Sequence, residues 1–227
     1  MTNRLLLRDE LLAFLENPHI TPLQEALKRI PLRKAVSPLI GFFCHPKELV
    51  RLRAITALGM LLDFLAQNEM EEARVVMRRL MWTLNDESGG IGWGAPEAMG
   101  EACARNSALA SEYHRILCSY VSEEGNFLEH ETLQRGALWG LCRLAGADAP
   151  KVYAAASDVR KHLMSPDPVK QGLALIFATR IKDKKALELV EPFLKDSSPM
   201  AFFTGWSLTH TSLKELAREL KMTFPLK

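Results

Sequence analysis

The residues best equipped for chemistry concentrate in one stretch of the 227-residue chain, Asn85 to Glu97. It holds Asp86, Glu87, Ser88, Trp93, Pro96 and Glu97, together with Gly89, Gly90, Gly92 and Gly94. A glycine loop can cradle a phosphate with its backbone N–H groups. Here Asp86, Glu87, Glu97 and Glu101 stand beside the glycines, so the sequence disfavours an anion and suits a cationic side chain, a metal, or no ligand at all. Gly90-x-Gly92-x-x-Ala95 superficially matches a dinucleotide fingerprint, but no β-strand pattern precedes it and no βαβ unit surrounds it. A zinc-protease helix needs two histidines four residues apart; His130-Glu131-Thr132-Leu133-Gln134 has one. Ser88 lacks the preceding Gly-x of a nucleophile elbow. The remaining histidines, at positions 19, 45, 114, 162 and 210, are scattered. Cys44, Cys103, Cys118 and Cys142 form no C-x-x-C pair and sit in apolar, helix-like surroundings, which fits buried thiols. No catalytic residue, metal or cofactor is expected.

Composition narrows the partners. Hydrophobic residues make up 48% and charged residues 25%, and 29 basic against 27 acidic residues leave a net charge of +2. Binding to nucleic acid or membrane does not follow from so balanced a chain. The apolar run Leu5-Leu6-Leu7 is too short for a signal peptide, and no stretch approaches a membrane span. A cytoplasmic protein is expected.

The elements that position these residues read as helix almost throughout. Leu5, Leu6, Leu11, Leu12 and Leu15 mark an amphipathic helix ending at Asn17-Pro18; Thr21-Pro22 starts another that runs through Ile30. Alternating β-branched runs and Asn-Gly turns are not evident. Beyond residue 31 a ten-residue pattern recurs: apolar first, small at the fifth and eighth positions, apolar at the ninth. It begins at Val50, Ile91, Leu133, Val169 and Met200, so successive starts fall 41, 42, 36 and 31 residues apart. Small residues let helices approach closely while the apolar ones fill the seam between units. In the second unit Pro96 takes the place of Ile55, so this helix is expected to start late or kink, with Ser88 to Gly94 forming a loop before it.

Pro46-Lys47-Glu48-Leu49-Val50-Arg51 with Ala54, Ala57, Leu58 and Gly59 resembles the HEAT-repeat signature, and Asp167-Pro168-Val169-Lys170 resembles its acidic-x-Val-basic turn. The resemblance covers about residues 20–221. It implies an all-α fold: an α-solenoid of antiparallel helix pairs, a HEAT/armadillo-like superhelix of about five repeats. The expected layout is a single domain over 1–227, with capping helices at 1–31, repeats at 32–221 and a tail at 222–227. The resemblance further implies that the second helix of each pair lines the concave face. The third and seventh positions of the pattern, plus one further turn, then form a column down that face: Leu52, Thr56 and Met60; Trp93, Glu97 and Glu101; Arg135, Trp139 and Arg143; Gln171, Leu175 and Thr179; Phe202, Trp206 and His210. Aromatics and charges together fit an interaction groove. The expected function is a non-enzymatic protein-interaction module or scaffold. It would bind a protein or peptide partner through Asp86, Glu87, Trp93, Glu97, Glu101, Arg135, Trp139, Arg143, Trp206 and His210. The alternative is a DNA-binding repair enzyme resembling the alkylpurine DNA glycosylases, which share this architecture. No Trp-Asp-x-x-Asp segment is present, and Glu97 and Glu101 interrupt any basic surface, so nucleic acid is not the expected partner.

Overall fold

The computed structural model describes residues 2–85 and 92–224. Among them are twelve α-helices and one β-hairpin. Helices α1 (Thr2–Glu16) and α2 (Thr21–Leu27) come first, and α2 ends three residues short of the expected Ile30. Five helical pairs follow. Helix α3 (Leu32–Gly41) pairs with α4 (Glu48–Asn68), α5 (Met70–Leu84) with α6 (Ala95–Arg105), and α7 (Ser107–Ser119) with α8 (Glu131–Ala147). In the fourth pair a 3₁₀ turn at Ala149–Ala155 and α9 (Ala156–Lys161) lead to α10 (Pro168–Ile181). In the fifth, α11 (Lys184–Leu187) and the 3₁₀ turn Glu191–Lys195 lead to α12 (Leu213–Met222).

Helices α4, α6, α8, α10 and α12 pack side by side in one layer, each against the next, with the first members of the pairs behind them. This is the layer that the sequence resemblance assigns to the concave surface. Its helices are buried almost all round; α4 hides Val50, Ala54, Ala57, Leu58, Leu61 and Leu62 on several sides at once. Helices α6 and α8 approach one another closely. A Cβ on Gly140 would lie 2.7 Å from the Pro96 carbonyl oxygen, and one on Gly100 would run into the Gly140 backbone. Two glycines at the crossing are therefore what lets these helices touch.

Local signals explain most of the helix starts. Asn106 accepts from the amides of Ala108 and Leu109 at the head of α7, and Asp167 accepts from Val169 N–H at 2.9 Å at the head of α10. Ser212 and Glu215 form a reciprocal capping box on α12. Helix α6 starts at Ala95, late as expected: Pro96 falls in its first turn, and Gly94 precedes it with φ 75°. The loop expected at Ser88 to Gly94 is described only over Gly92–Gly94, which is non-helical; the rest lies outside the described residues.

The fifth repeat departs from expectation. Met200 to Thr209, aligned with the inner helices by the repeat pattern, is not helical. Strands β1 (Pro199–Thr204) and β2 (Ser207–Ser212) form an antiparallel hairpin, with Phe202 opposite Thr209 and Thr204 opposite Ser207. The two-residue turn Gly205-Trp206 places glycine, at φ 65°, first, as a type II′ turn requires. Phe202, Phe203, Thr204, Thr209 and Thr211 are aromatic or β-branched, and such residues suit a pleated surface better than a helix. The fifth inner helix is instead α12, and the hairpin is an insertion between the two members of the last pair.

Candidate functional site

On the face of the inner layer, the hairpin decides which column residues remain available. From its base, where Met200 packs against Gly172 of α10, it runs across α8 and reaches α4 with its tip. The Trp139 indole N–H donates to the Phe203 carbonyl at 3.2 Å, and its ring lies 6.4 Å from that of Phe202. At the tip, Trp206 Nε1 donates to the Asn17 carbonyl at 2.9 Å. Arg53 of α4 sits 5.2 Å from the Trp206 ring centroid, donates to the Trp206 carbonyl at 3.0 Å and donates to the Leu15 carbonyl at 2.9 Å. Trp139 and Trp206 are thus buried, with their N–H groups satisfied inside the chain. Trp206 and His210, expected on an inner helix, lie on the hairpin; His210 is exposed on β2 opposite Ala201.

The charged members are also engaged. Glu101 is 1% exposed and held between two guanidinium groups, with Arg105 Nη2 at 2.6 Å and Arg143 Nε at 2.5 Å. Arg135 pairs with Asp167 at 2.7 Å. Burial pushes the Asp167 carboxyl up, but Arg135 and the amides of Val169 and Lys170 more than offset it and hold it below the usual range.

Trp93 and Glu97 differ. Trp93 is partly exposed and meets the His130 ring edge-on, 4.8 Å between centroids. His130 caps α8 by accepting from Thr132 N–H at 3.2 Å. Glu97, in the first turn of α6, lies against Gly136 of α8, where a Cβ would overlap its carboxylate. Its Oε2 is shut from solvent and has no hydrogen-bond partner. Burial pushes this carboxyl up to about 7, and its own backbone N–H offsets only part of the rise. Chemically the spot is an acceptor without a donor, and Trp93 and His130 pair just ahead of the same two helices, α6 and α8. Asp86 and Glu87 lie outside the described residues.

Arg53 was not anticipated as part of this face. Its signal was in the repeat all the same: the fourth position is glycine in three units (Gly94, Gly136 and Gly172) and arginine in the first. The contacts of buried Lys170 with buried Gln134 and with the exposed Glu131 (2.8 Å) were likewise unforeseen.

Comparison with solved structures settles the architecture. An engineered protein superposes with a TM-score of 0.61 at 15% identity, covering 98% of this chain and 90% of that one. A designed armadillo repeat protein in complex with the peptide (KR)4 superposes at 0.56 and 15% identity, over 95% of this chain and 98% of its own. The chain has the fold of a HEAT/armadillo-like repeat solenoid. No protein-family model matches it. An uncharacterized protein of Archaeoglobus fulgidus is 26% identical to the solenoid over 184 residues, spanning 81% of this chain and 94% of the relative. Among the solenoid's described residues, no helix is long and apolar enough to cross a membrane.

Proposed function

We propose that this solenoid is a non-enzymatic binding scaffold whose partner is a protein or peptide segment carrying a basic side chain, received at the entrance of α6. The observation that carries the reading is Glu97: a carboxylate oxygen buried without a donor. A buried acceptor left unmet costs roughly 1–3 kcal/mol, so a lysine or arginine that supplies the donor recovers that cost on binding. Trp93, four residues earlier and partly exposed, offers a ring for the aliphatic stem or the cation itself. Asp86 and Glu87, a few residues earlier in the sequence, add negative charge to the same stretch. The designed armadillo protein of similar fold was solved in complex with the peptide (KR)4, which supports a basic peptide as the ligand to try on this fold. Glu101, Arg135 and Arg143 then act as the ion-paired frame of the face rather than as contacts. Trp139, Trp206 and His210 belong to the hairpin and its seat.

No specific observation favours the DNA-repair reading. Arg135 and Arg143, the arginines it would use, are each tied to a carboxylate.

Titration of a (Lys-Arg)4 peptide into wild type and Glu97→Gln by calorimetry tests the proposal. Loss of a charge-assisted contact predicts affinity weaker by roughly tenfold in the variant. Equal affinity in the two proteins would sink the assignment of Glu97.

A further inference from the structure

A cavity of about 240 Å³ lies where the hairpin meets α10 and α12, away from Glu97 and Trp93. Helix α10 lines it with Ile176 and Arg180, the hairpin with Phe202, Thr204 and Thr209, and α12 with Leu216. Arg180 is the unusual member. It leaves the last turn of α10, lies beside Gly146, and sits 5.4 Å from the Phe202 ring centroid. One Nη donates to the Cys142 carbonyl. Among the described residues no carboxylate comes within ion-pair distance of it, whereas Arg135, Arg143 and Arg160 each have one. A guanidinium keeps its charge at any ordinary pH, so a partly buried one with no carboxylate at ion-pair distance leaves strong donors free for a ligand. Arg143 nearby adds charge of the same sign.

We infer that this cavity binds a small organic monocarboxylate with a compact apolar body. The acid would take the free edge of the Arg180 guanidinium, with the Thr204 and Thr209 hydroxyls able to donate beside it. The apolar body would rest on Ile176, Leu216 and the Phe202 ring. Two features limit the ligand. The volume equals about eight waters at ~30 Å³ each, which suits a molecule of roughly that many non-hydrogen atoms. Glu219 also lines the cavity without pairing with Arg180, and a second negative charge on the ligand would face it. Because β1 and β2 form one wall, an occupant also holds the hairpin against α10.

The probes are hexanoate and hexanamide, which match in shape and differ in charge, titrated into the full chain by calorimetry. Hexanoate is expected to bind at least tenfold more tightly than the amide, and Arg180→Gln is expected to remove that preference. Ile176→Trp fills the cavity without touching the charge and is expected to abolish hexanoate binding. Equal binding of acid and amide overturns the inference, as does no binding of either. If Arg180→Gln does not fold, the acid–amide comparison and Ile176→Trp decide alone; hexanoate binding retained by Ile176→Trp also overturns it.

Discussion

At the scale of single residues, Glu97 carries the sharpest consequence. A carboxyl with a folded-state pKa near 7 and an ordinary value of 4.5 keeps its proton in the native state through that window, while the unfolded chain gives it up. Stability therefore falls as pH rises from about 4.5 to about 7, and the loss is complete above that. Glu97→Gln places a neutral group of the same shape against Gly136. Urea unfolding should find the variant more stable than wild type at pH 8 by on the order of 2 kcal/mol, with the gap closing toward pH 4.5. Parallel stability curves for the two proteins would show that Glu97 does not titrate in this range. A basic side chain on Glu97 requires the ionised form, so peptide binding should release a proton. Wild-type affinity for (Lys-Arg)4 should rise between pH 6 and 8, and that of Glu97→Gln should stay flat.

At the scale of elements, two contacts dominate: the α6–α8 crossing and the hairpin turn. Gly140→Ala sets a methyl group against the Pro96 carbonyl, a backbone atom that moves only if the helices part. Overpacking of this kind costs about 2–3 kcal/mol. The control is Gly41→Ala at the end of α3, where an added Cβ meets nothing within 4 Å and should change stability by less than about 1 kcal/mol in the favourable direction. Similar midpoints in thermal unfolding for the two variants would contradict the close-crossing account. At the turn, Gly205 has open space around it but a left-handed backbone. Gly205→Ala should therefore cost only the conformational term, about 1 kcal/mol.

At the scale of the whole molecule, the hairpin changes what kind of solenoid this is. In an open repeat array each unit touches only its neighbours, and the ends fray independently. Here Trp206 bonds to Asn17 across 189 residues, and Arg53 joins Trp206 to Leu15. The last repeat is tied to the first helix. Trp206→Ala removes the indole bond, the stacked guanidinium's partner and a buried side chain together. It should uncouple the ends, so that amides in α1–α3 exchange hydrogen faster than those in α6–α10 by a margin absent from wild type. Uniform acceleration along the chain would argue against a tie between the ends.

How far the sequence reached follows from this. Helical periodicity, the recurring small residues and the Asp167-Pro168-Val169-Lys170 turn lie within each repeat, so one chain displayed the stacked helix pairs, the late start of α6 and the unusual character of Trp93 and Glu97. The hairpin stayed hidden because the repeat spacing laid Met200 to Thr209 onto a helical template, although its aromatics, threonines and Gly205 suit strands and a turn. Which column residues stay available was decided only in three dimensions. Trp139, Arg143 and Trp206 have the composition of a binding face, yet their partners (Phe203, Glu101 and Asn17) come from distant parts of the chain. Arg180 is the converse case. An arginine at a helix end looks like a solvated charge until the hairpin folds beside it and partly covers a guanidinium that has no carboxylate at ion-pair distance among the described residues.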